Sequence, residues 1–371
     1  MIYQELKRRL FTRYVFFSII GLLLLTGVLN LRTIAINENL HEVIKEESVY
    51  AGEMTEDKLW LGLEKVRDEK SDEIKYNPLI AFISRLVYSH PGVLYNEDKL
   101  TEFPDYYAKN FYACWEKKST ALIEKIPKNN QAKALEELDK VKTPFYQYEG
   151  YYLWTESFNI LKVLYLIIIF MVTFFAASTY SDSMEDGSME IMHATVFGKR
   201  MMGIRLLPVM IYGLLLTLAA TLCSVLILGS ATGLQTLKSS LKVFALFSIG
   251  NATLGSGILL MFACELLGVL SLTTIMGWIS YKTASTSLAT SIGIGINIFY
   301  IIMALFIKLP WKFFQFILNA LPLASSQIIN EVSGFQFDMG IWRPYAVMVS
   351  MVLVFTIFGM LLSHAVCREK I

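Results

Sequence analysis

The sequence predicts an all-α integral membrane protein, with six transmembrane helices and a mostly helical extracellular domain inserted between helices 1 and 2. Two observations support this fold class. Of the 371 residues, 54% are hydrophobic and 18% are charged, whereas a typical soluble domain is roughly 45–50% apolar and about 25% charged. The apolar residues also fall into six long segments. Such hydrophobicity excludes a disordered chain, and a net charge of +1 gives no whole-chain reason to expect nucleic-acid binding.

The first apolar segment, Tyr14–Leu31, has 18 residues without a charge, and as a helix it would span about 27 Å. Four basic residues precede it: Lys7, Arg8, Arg9 and Arg13. They predict a cytoplasmic N-terminus, and residues 2–11 could lie in the interface as an amphipathic helix. A cleavable signal peptide is the competing interpretation, but no small-residue cleavage site follows and Arg32 comes next. We therefore predict an interfacial helix and a retained transmembrane helix within residues 1–31.

Residues 32–159 differ in composition, since they hold 17 Lys/Arg and 23 Asp/Glu and carry a net charge of −6. Helix signals recur there. Thr55 can cap free backbone N–H groups, and the acids that follow it suit the helix dipole. Further helices are expected at Leu79–Ser89, Asp105–Ile126 and Asn130–Val141. We predict a small extracellular domain with tyrosines in its core and, because it holds one cysteine, no internal disulfide.

Five more apolar segments follow within residues 160–371: Ile160–Ser178, Leu206–Leu228, Leu254–Trp278, Leu288–Ile307 and Ala346–Val366. Six spans place both termini in the cytoplasm. The low cysteine content and many lysines and isoleucines suit a bacterial plasma membrane. Glycines before the fourth span predict a re-entrant or interfacial piece. Between the last two spans, WKFFQFILNALPLA predicts an interfacial helix that ends near Pro322.

The segment 180–205, between the second and third spans, carries a pattern of charges. Four acids come first and three bases follow: Asp182, Glu185, Asp186, Glu190, then Lys199, Arg200 and Arg205. Gly187 predicts a break in the helix, and Ser188 can cap a new helix whose first turn holds Glu190. The apolar side of this short helix is expected to hold Met189, Met192 and Val196. A solvated loop of mixed charge is the alternative interpretation.

The same segment resembles the cytoplasmic loop of type-2 ABC exporter permeases, where Glu-x-Gly-Thr, a short apolar helix, a proline, a small residue and Arg occur in this position. Ser188 stands for the Thr and Val196 for the proline. The matching residues are Glu185, Gly187, Ser188, Glu190, Met192, Gly198, Lys199 and Arg200. The resemblance implies that these residues, with Asp186, couple the chain to a separate cytoplasmic ATPase subunit. It also implies that ATP and Mg²⁺ bind in that partner, and that a second permease chain, identical or different, completes the pathway.

Motifs for chemistry within this chain are missing. The one Gly-Lys pair, Gly198-Lys199, lacks the other positions of a phosphate-binding Walker A loop. There is no H-E-x-x-H zinc motif and no G-x-S-x-G nucleophile elbow. The four cysteines are widely spaced, which argues against a metal site or a disulfide framework. We therefore expect a non-catalytic subunit without a cofactor or metal of its own.

Two polar residues lie inside predicted spans. Glu265 is an intramembrane carboxyl and hence a functional candidate; a hydrogen bond to a neighbouring helix or a position near the membrane surface is the alternative. Asn297 lies on the fifth span, where packing is favoured over a role in a substrate path. The spacing of Ser291 and Gly295 on that span favours close helix approach.

Three functions compete at this stage. The first is the permease subunit of an ABC exporter that moves an apolar or amphipathic substrate (a peptide, a lipid-like molecule or a drug) out of the cell. The second is a membrane sensor or scaffold, whose extracellular domain binds a peptide and which signals to a cytoplasmic partner. The third, an intramembrane enzyme, is the weakest because Glu265 has no catalytic partner that spacing would identify.

Overall fold

The computed structural model describes residues 2–37, 39–68, 79, 82–83, 85–86, 105–193, 202–307, 312–332, 334–335, 337–338 and 340–368. The chain begins with helix α1 (Ile2–Leu10), and Thr12 then caps helix α2 (Arg13–Ile36), accepting a hydrogen bond from the Val15 backbone N–H at 3.4 Å. Helix α2 is the first of six helices that are long and apolar enough to cross a membrane. The predicted first span is therefore confirmed, with five more residues at its C-terminal end.

The described part of the polypeptide between the first two spans forms short helices and a two-stranded antiparallel sheet. In chain order these elements are α3 (Leu40–Val49), β1 (Gly52–Met54), α4 (Glu56–Asp68), α5 (Asp105–Lys109), α6 (Phe111–Ile123), α7 (Lys128–Asp139) and β2 (Phe145–Tyr148). Strand β1 pairs antiparallel with β2, with Gly52 opposite Tyr148. The helix predicted after Thr55 is confirmed, since the Thr55 hydroxyl accepts the Lys58 N–H at 3.4 Å. Most of the predicted Leu79–Ser89 helix lies outside the described residues.

Two sequence expectations for this region need correction. The single helix predicted over Asp105–Ile126 is two helices, because the chain turns at Asn110 between α5 and α6. The two-stranded sheet was not predicted at all. Its strands bring aromatic residues into a core at which Phe145 packs edge-on to Phe111 and Trp115, and Tyr148 is also buried there.

The remaining elements supply five spans and the loops between them. They are α8 (Tyr152–Glu185), α9 (Ser188–His193), α10 (Leu207–Thr232), α11 (Leu254–Thr283), α12 (Thr286–Ile301), α13 (Lys312–Asn319), β3 (Phe337–Asp338), β4 (Ile341–Trp342) and α14 (Arg343–Arg368). A π-helical turn, Ile302–Ile307, extends α12. The spans are α2, α8, α10, α11, α12 and α14. By length and composition the chain is a multi-pass membrane protein.

Helix α8 is much longer than the predicted span Ile160–Ser178. Its 34 residues extend for about 51 Å, whereas a hydrocarbon core is about 30 Å thick. Both ends therefore project from the apolar layer. The N-terminal end packs against the polypeptide between the first two spans, and the C-terminal end carries the segment that leads to α9. Both ends of α8, beyond its apolar run, are thus in contact with other parts of the chain.

The spans pack around α11, which lies against α8 along one side and α14 along another. Helix α10 packs on α2 and α8, and α12 packs on α8. Before the fourth span the chain forms two short 3-10 turns, Leu234–Lys238 and Leu241–Val243. The re-entrant or interfacial position of this part of the chain stays a prediction. After α13 a long 3-10 segment, Pro322–Val332, is largely buried against α11. The helix predicted to end near Pro322 is therefore confirmed, but the chain beyond it turns inward.

Candidate functional site

The turn between α8 and α9 lies in the predicted coupling segment. Gly187 has a φ of +74°, a conformation that favours glycine, and the helix breaks there as predicted. The new helix begins at Ser188, but the cap is Asp186, whose Oδ1 accepts the Ser188 backbone N–H at 2.8 Å. Hydrogen bonds from the hydroxyl and the backbone N–H of Ser188 lower the pKa of Asp186. The local signals for this bend were thus sufficient to predict it.

Glu185 connects this turn to the fifth span. Its Oε1 accepts the Thr286 backbone N–H at 2.8 Å, and its Oε2 accepts the Thr286 hydroxyl at 3.1 Å. The Thr286 N–H belongs to the first turn of α12. Backbone donors are unpaired in the first turn of a helix, and a negative charge is favourable there. The N-cap residue Ser285 makes no side-chain cap bond of its own. Glu185 therefore caps α12 from another helix, a role that its place in the sequence did not predict.

Met189 anchors α9 in a small apolar cluster that is separate from the main core. We call it the Met189 cluster; its buried members are Tyr180, Met189, Met202, Leu206, Tyr281, Leu362 and Val366. These residues come from the ends of α8, α11 and α14 and from the chain that enters α10. Met189 on the short helix is thus part of a cluster that includes the ends of four spans.

A network of buried hydroxyl groups joins the same ends. The Ser280 hydroxyl accepts the backbone N–H groups of Tyr180 and Ser181 at 3.0 and 2.9 Å and donates to the Ala177 carbonyl at 2.7 Å. The hydroxyls of Ser181 and Thr286 lie 2.8 Å apart. Helices α8, α11 and α12 are therefore held together by hydrogen bonds at the face that carries α9.

Two buried arginines lie at this face, and one of them, Arg9, joins helix α1 to it. Arg9 donates through Nη2 to the carbonyls of Ser178 and Thr179 at 3.1 and 2.9 Å, and its Nε lies 3.3 Å from Glu5 Oε1. Arg205 donates to the Thr179 carbonyl at 3.4 Å and is 2% exposed. The sequence placed Arg205 among the bases of a loop, but its side chain lies inside the protein.

The other predicted coupling residues are less constrained. Glu190 is exposed on α9, and Met192 lies in the same helix. Lys199 and Arg200, with Val196 and Gly198, lie outside the described residues. The structure therefore brings together Glu185, Asp186, Gly187, Ser188 and Met189 at one turn.

Glu265 is fully buried near the middle of α11. Its Oε2 lies 2.8 Å from the Ser325 hydroxyl, and its Oε1 has no hydrogen-bond partner in the described part of the chain. Gly268 permits this contact, since a Cβ built there would lie 2.6 Å from Ser325 Cβ and 3.0 Å from the Pro322 carbonyl oxygen. The 3-10 segment thus approaches α11 where the helix has no side chain.

The hydrogen count at Ser325 fits a protonated Glu265. The Ser325 hydroxyl lies within hydrogen-bond distance of two oxygens, Glu265 Oε2 at 2.8 Å and the Pro322 carbonyl at 2.7 Å. A hydroxyl has one hydrogen, so it cannot donate fully to both. A neutral carboxyl donates to the Ser325 oxygen and leaves the Ser325 hydrogen for Pro322. Burial in an apolar environment also disfavours the charged form.

Asn297 joins the fifth span to the second. Its Nδ2 donates to the Thr173 hydroxyl at 3.0 Å, while its Oδ1 has no partner among the described residues. Close helix approach occurs at Gly293, where a Cβ would lie 2.6 Å from Thr173 Cγ2. A Cβ at Gly295 would meet open space, so the predicted role of Ser291 and Gly295 in close approach is wrong.

Sequence reasoning missed Glu47, which lies where α3 meets the start of α8. Its Oε1 accepts the backbone N–H groups of Tyr151 and Tyr152 at 2.9 and 3.1 Å and the Tyr148 hydroxyl at 3.3 Å. The side chain is buried, and this burial raises the pKa of Glu47. Nothing in the local run of charged residues distinguishes this glutamate from its exposed neighbours.

Lys242, in the loop between α10 and α11, is also buried. Its Nζ lies 5.5 Å from the centre of the Trp115 ring and 5.6 Å from that of Phe145, and it donates to the Ser248 carbonyl at 2.5 Å. Burial lowers the pKa of Lys242 to about 7. This lysine therefore holds the loop after α10 against α6 and β2.

Comparison with known proteins adds no relative: no protein-family description, no curated protein and no solved structure matches this chain.

Proposed function

We propose that this chain is the membrane-spanning permease subunit of an ATP-driven ABC exporter. It lies in a plasma membrane, with both termini in the cytoplasm. A separate ATPase subunit docks on residues 180–205 and binds the ATP and Mg²⁺. A second permease chain, identical or different, completes the pathway. The polypeptide between the first two spans then lies outside the cell.

The observation that carries this proposal is the attachment of the turn at Gly187 to the spans. Glu185 caps α12, and Met189 belongs to the apolar cluster that joins the ends of α8, α11 and α14 to the chain entering α10. Protein interiors are close-packed and transmit displacement. A movement imposed on α9 by a docked ATPase would therefore reach five of the six spans at once, which is the mechanical requirement for coupling hydrolysis to transport.

The substrate class follows from the spans. Within the described spans Glu265 is the acid that lies deep in the apolar layer, and its geometry fits a neutral carboxyl. A pathway lined by such helices favours an apolar or amphipathic substrate over a highly charged one. We propose export of a peptide, a lipid-like molecule or a drug of this character.

Co-purification and coupling measurements test the proposal. When the full chain is purified gently from its native cells, a stoichiometric amount of an ATPase should co-purify with it. The activity of this ATPase should rise when the complex is reconstituted in vesicles. Glu185→Ala should reduce transport per ATP hydrolysed by about tenfold, since a lost charge-assisted hydrogen bond is worth on the order of 1.5–3 kcal/mol. Glu116→Ala, an exposed acid on α6, is the matched control.

The sensor or scaffold remains the competing outcome of this experiment. Recovery of a kinase in place of an ATPase would support it. Unchanged transport and ATPase stimulation in Glu185→Ala, with the ATPase still bound, would also contradict the coupling role of the turn.

A further inference from the structure

A cavity of about 500 Å³ lies where the end of α2 meets the start of α8. Thr33 and Asn37 line it from the first span, Tyr151, Tyr152 and Glu156 from the second, and Arg85 from the polypeptide between them. Its volume is within the range of ligand sites, about 300–1,000 Å³. The Tyr152 hydroxyl donates to Asn37 Oδ1 at 2.7 Å, so both spans are fixed at this point.

The cavity lies beside the end of the apolar run of the first span. The uncharged run of α2 ends at Leu31 and the exposed Arg32 follows it, whereas Thr33, Ile36 and Asn37 line the cavity. Tyrosines typically occupy this interfacial level. An amphiphile whose chains lie along the exposed side of α2 would place its headgroup against the cavity.

The charges on the wall are opposite in sign and do not pair with each other. Arg85 lies over the Tyr151 ring, 5.6 Å from its centre, and in the described part of the chain it forms no ion pair. Glu156 is exposed at the cavity. A guanidinium and a carboxylate that share a cavity without an ion pair leave room for a ligand that carries both complementary charges.

We infer that this cavity binds the headgroup of a zwitterionic phospholipid with a primary ammonium, that is, phosphatidylethanolamine. Arg85 binds the phosphate, since guanidinium groups hold phosphate oxygens through two parallel hydrogen bonds. Glu156 accepts hydrogen bonds from the ammonium, and the tyrosine rings favour a cation beside them. This inference requires membrane insertion alone and does not rest on the proposed transport function.

Lipid titration of the whole chain tests the site. The protein is purified in mild detergent, freed of bound lipid and titrated with palmitoyl-oleoyl phosphatidylethanolamine, and bound lipid is counted by native mass spectrometry. Arg85→Ala should weaken the apparent affinity about tenfold, as expected for loss of a charge-assisted pair. Glu156→Gln should weaken binding of this lipid but leave binding of phosphatidylglycerol, which has no ammonium, unchanged.

Controls separate recognition from folding. Lys117→Ala removes a cation from a second cavity, on α6, and should leave lipid binding at the wild-type level. Arg85→Lys keeps the charge without the two-pronged geometry and should bind with intermediate affinity, even if Arg85→Ala lowers the melting temperature. Equal affinity of wild type and both Arg85 variants for phosphatidylethanolamine overturns the site. A wild-type preference for phosphatidylglycerol, or binding of a water-soluble zwitterionic peptide alone, overturns the proposed ligand.

Discussion

Glu47 and Glu265 are both almost completely buried, but the two regions around them supply different numbers of hydrogen-bond donors. One oxygen of Glu47 collects three donors where the inserted polypeptide meets the second span. Glu265 has one hydrogen-bond partner, the Ser325 hydroxyl at 2.8 Å, and its other oxygen has none among the described residues. Burial penalises a carboxylate unless donors compensate it. The comparison indicates that Glu47 serves as a structural cap, whereas the surroundings of Glu265 favour the neutral acid.

The largest effect is expected from removing the cap. Glu47→Ala leaves the Tyr151 and Tyr152 N–H groups buried without an acceptor and should lower the free energy of unfolding by about 3 kcal/mol. Unfolding in detergent micelles, followed by tryptophan fluorescence, measures the change. Glu42→Ala, an exposed acid on the same helix, should change stability by less than about 0.5 kcal/mol. Equal effects of the two substitutions would contradict the role of Glu47 as a structural cap.

The Glu265 region can be tested through its close contact. Gly268→Ala places a Cβ 2.6 Å from Ser325 Cβ, and such overpacking should destabilise by about 2 kcal/mol. Gly295→Ala is the matched control in another span, since its Cβ meets open space and alanine favours a helix by about 1 kcal/mol. A stable Gly268→Ala variant would show that the 3-10 segment is not seated at Glu265.

The features of the fold and of the candidate site that could be predicted from the sequence are those determined by residues close together in the chain. The six spans and the break at Gly187 follow from residues next to one another in the chain. The two-stranded sheet does not, because Gly52 pairs with Tyr148, far along the sequence. The burial of Glu47 is equally non-local, since its donors belong to the start of α8. At the turn around Gly187 the acids were identified as candidates, but the cap that Glu185 places on α12 depends on how two helix ends meet.

A buried base extends the comparison to pH. Lys242 has one carbonyl acceptor and two aromatic rings, and among the described residues no carboxylate pairs with it. Its pKa is about 7 in the folded chain against 10.5 for the ordinary side chain. Between these values the unfolded chain binds more protons, so stability should rise with pH, by at most ~1.4 kcal/mol per pH unit. Below pH 7 both states are protonated and the rise should be absent.

Two methionine variants check this pH dependence by the same unfolding measurement repeated from pH 6 to 10. Lys242→Met should abolish the rise. Lys238→Met, at an exposed lysine of the same loop, should retain it. If the stability of Lys242→Met still rises with pH, another titrating group causes the rise and Lys242 does not.

The smallest change in stability is expected from glutamine substitutions, and these distinguish Glu47 from Glu265 most clearly. A glutamine at Glu265 can donate its amide N–H to the Ser325 oxygen, as the neutral acid does, so Glu265→Gln should change stability by less than about 0.5 kcal/mol. Glu47→Gln keeps an acceptor oxygen for the same three donors but loses the charge, and it should lose about 1 kcal/mol in a pH 7 measurement, since hydrogen bonds to charged groups are stronger than those to neutral ones. If Glu265→Gln is the more destabilising of the two, Glu265 is charged in the folded protein. If it is silent in folding and yet abolishes transport, the function of Glu265 requires that its proton leave.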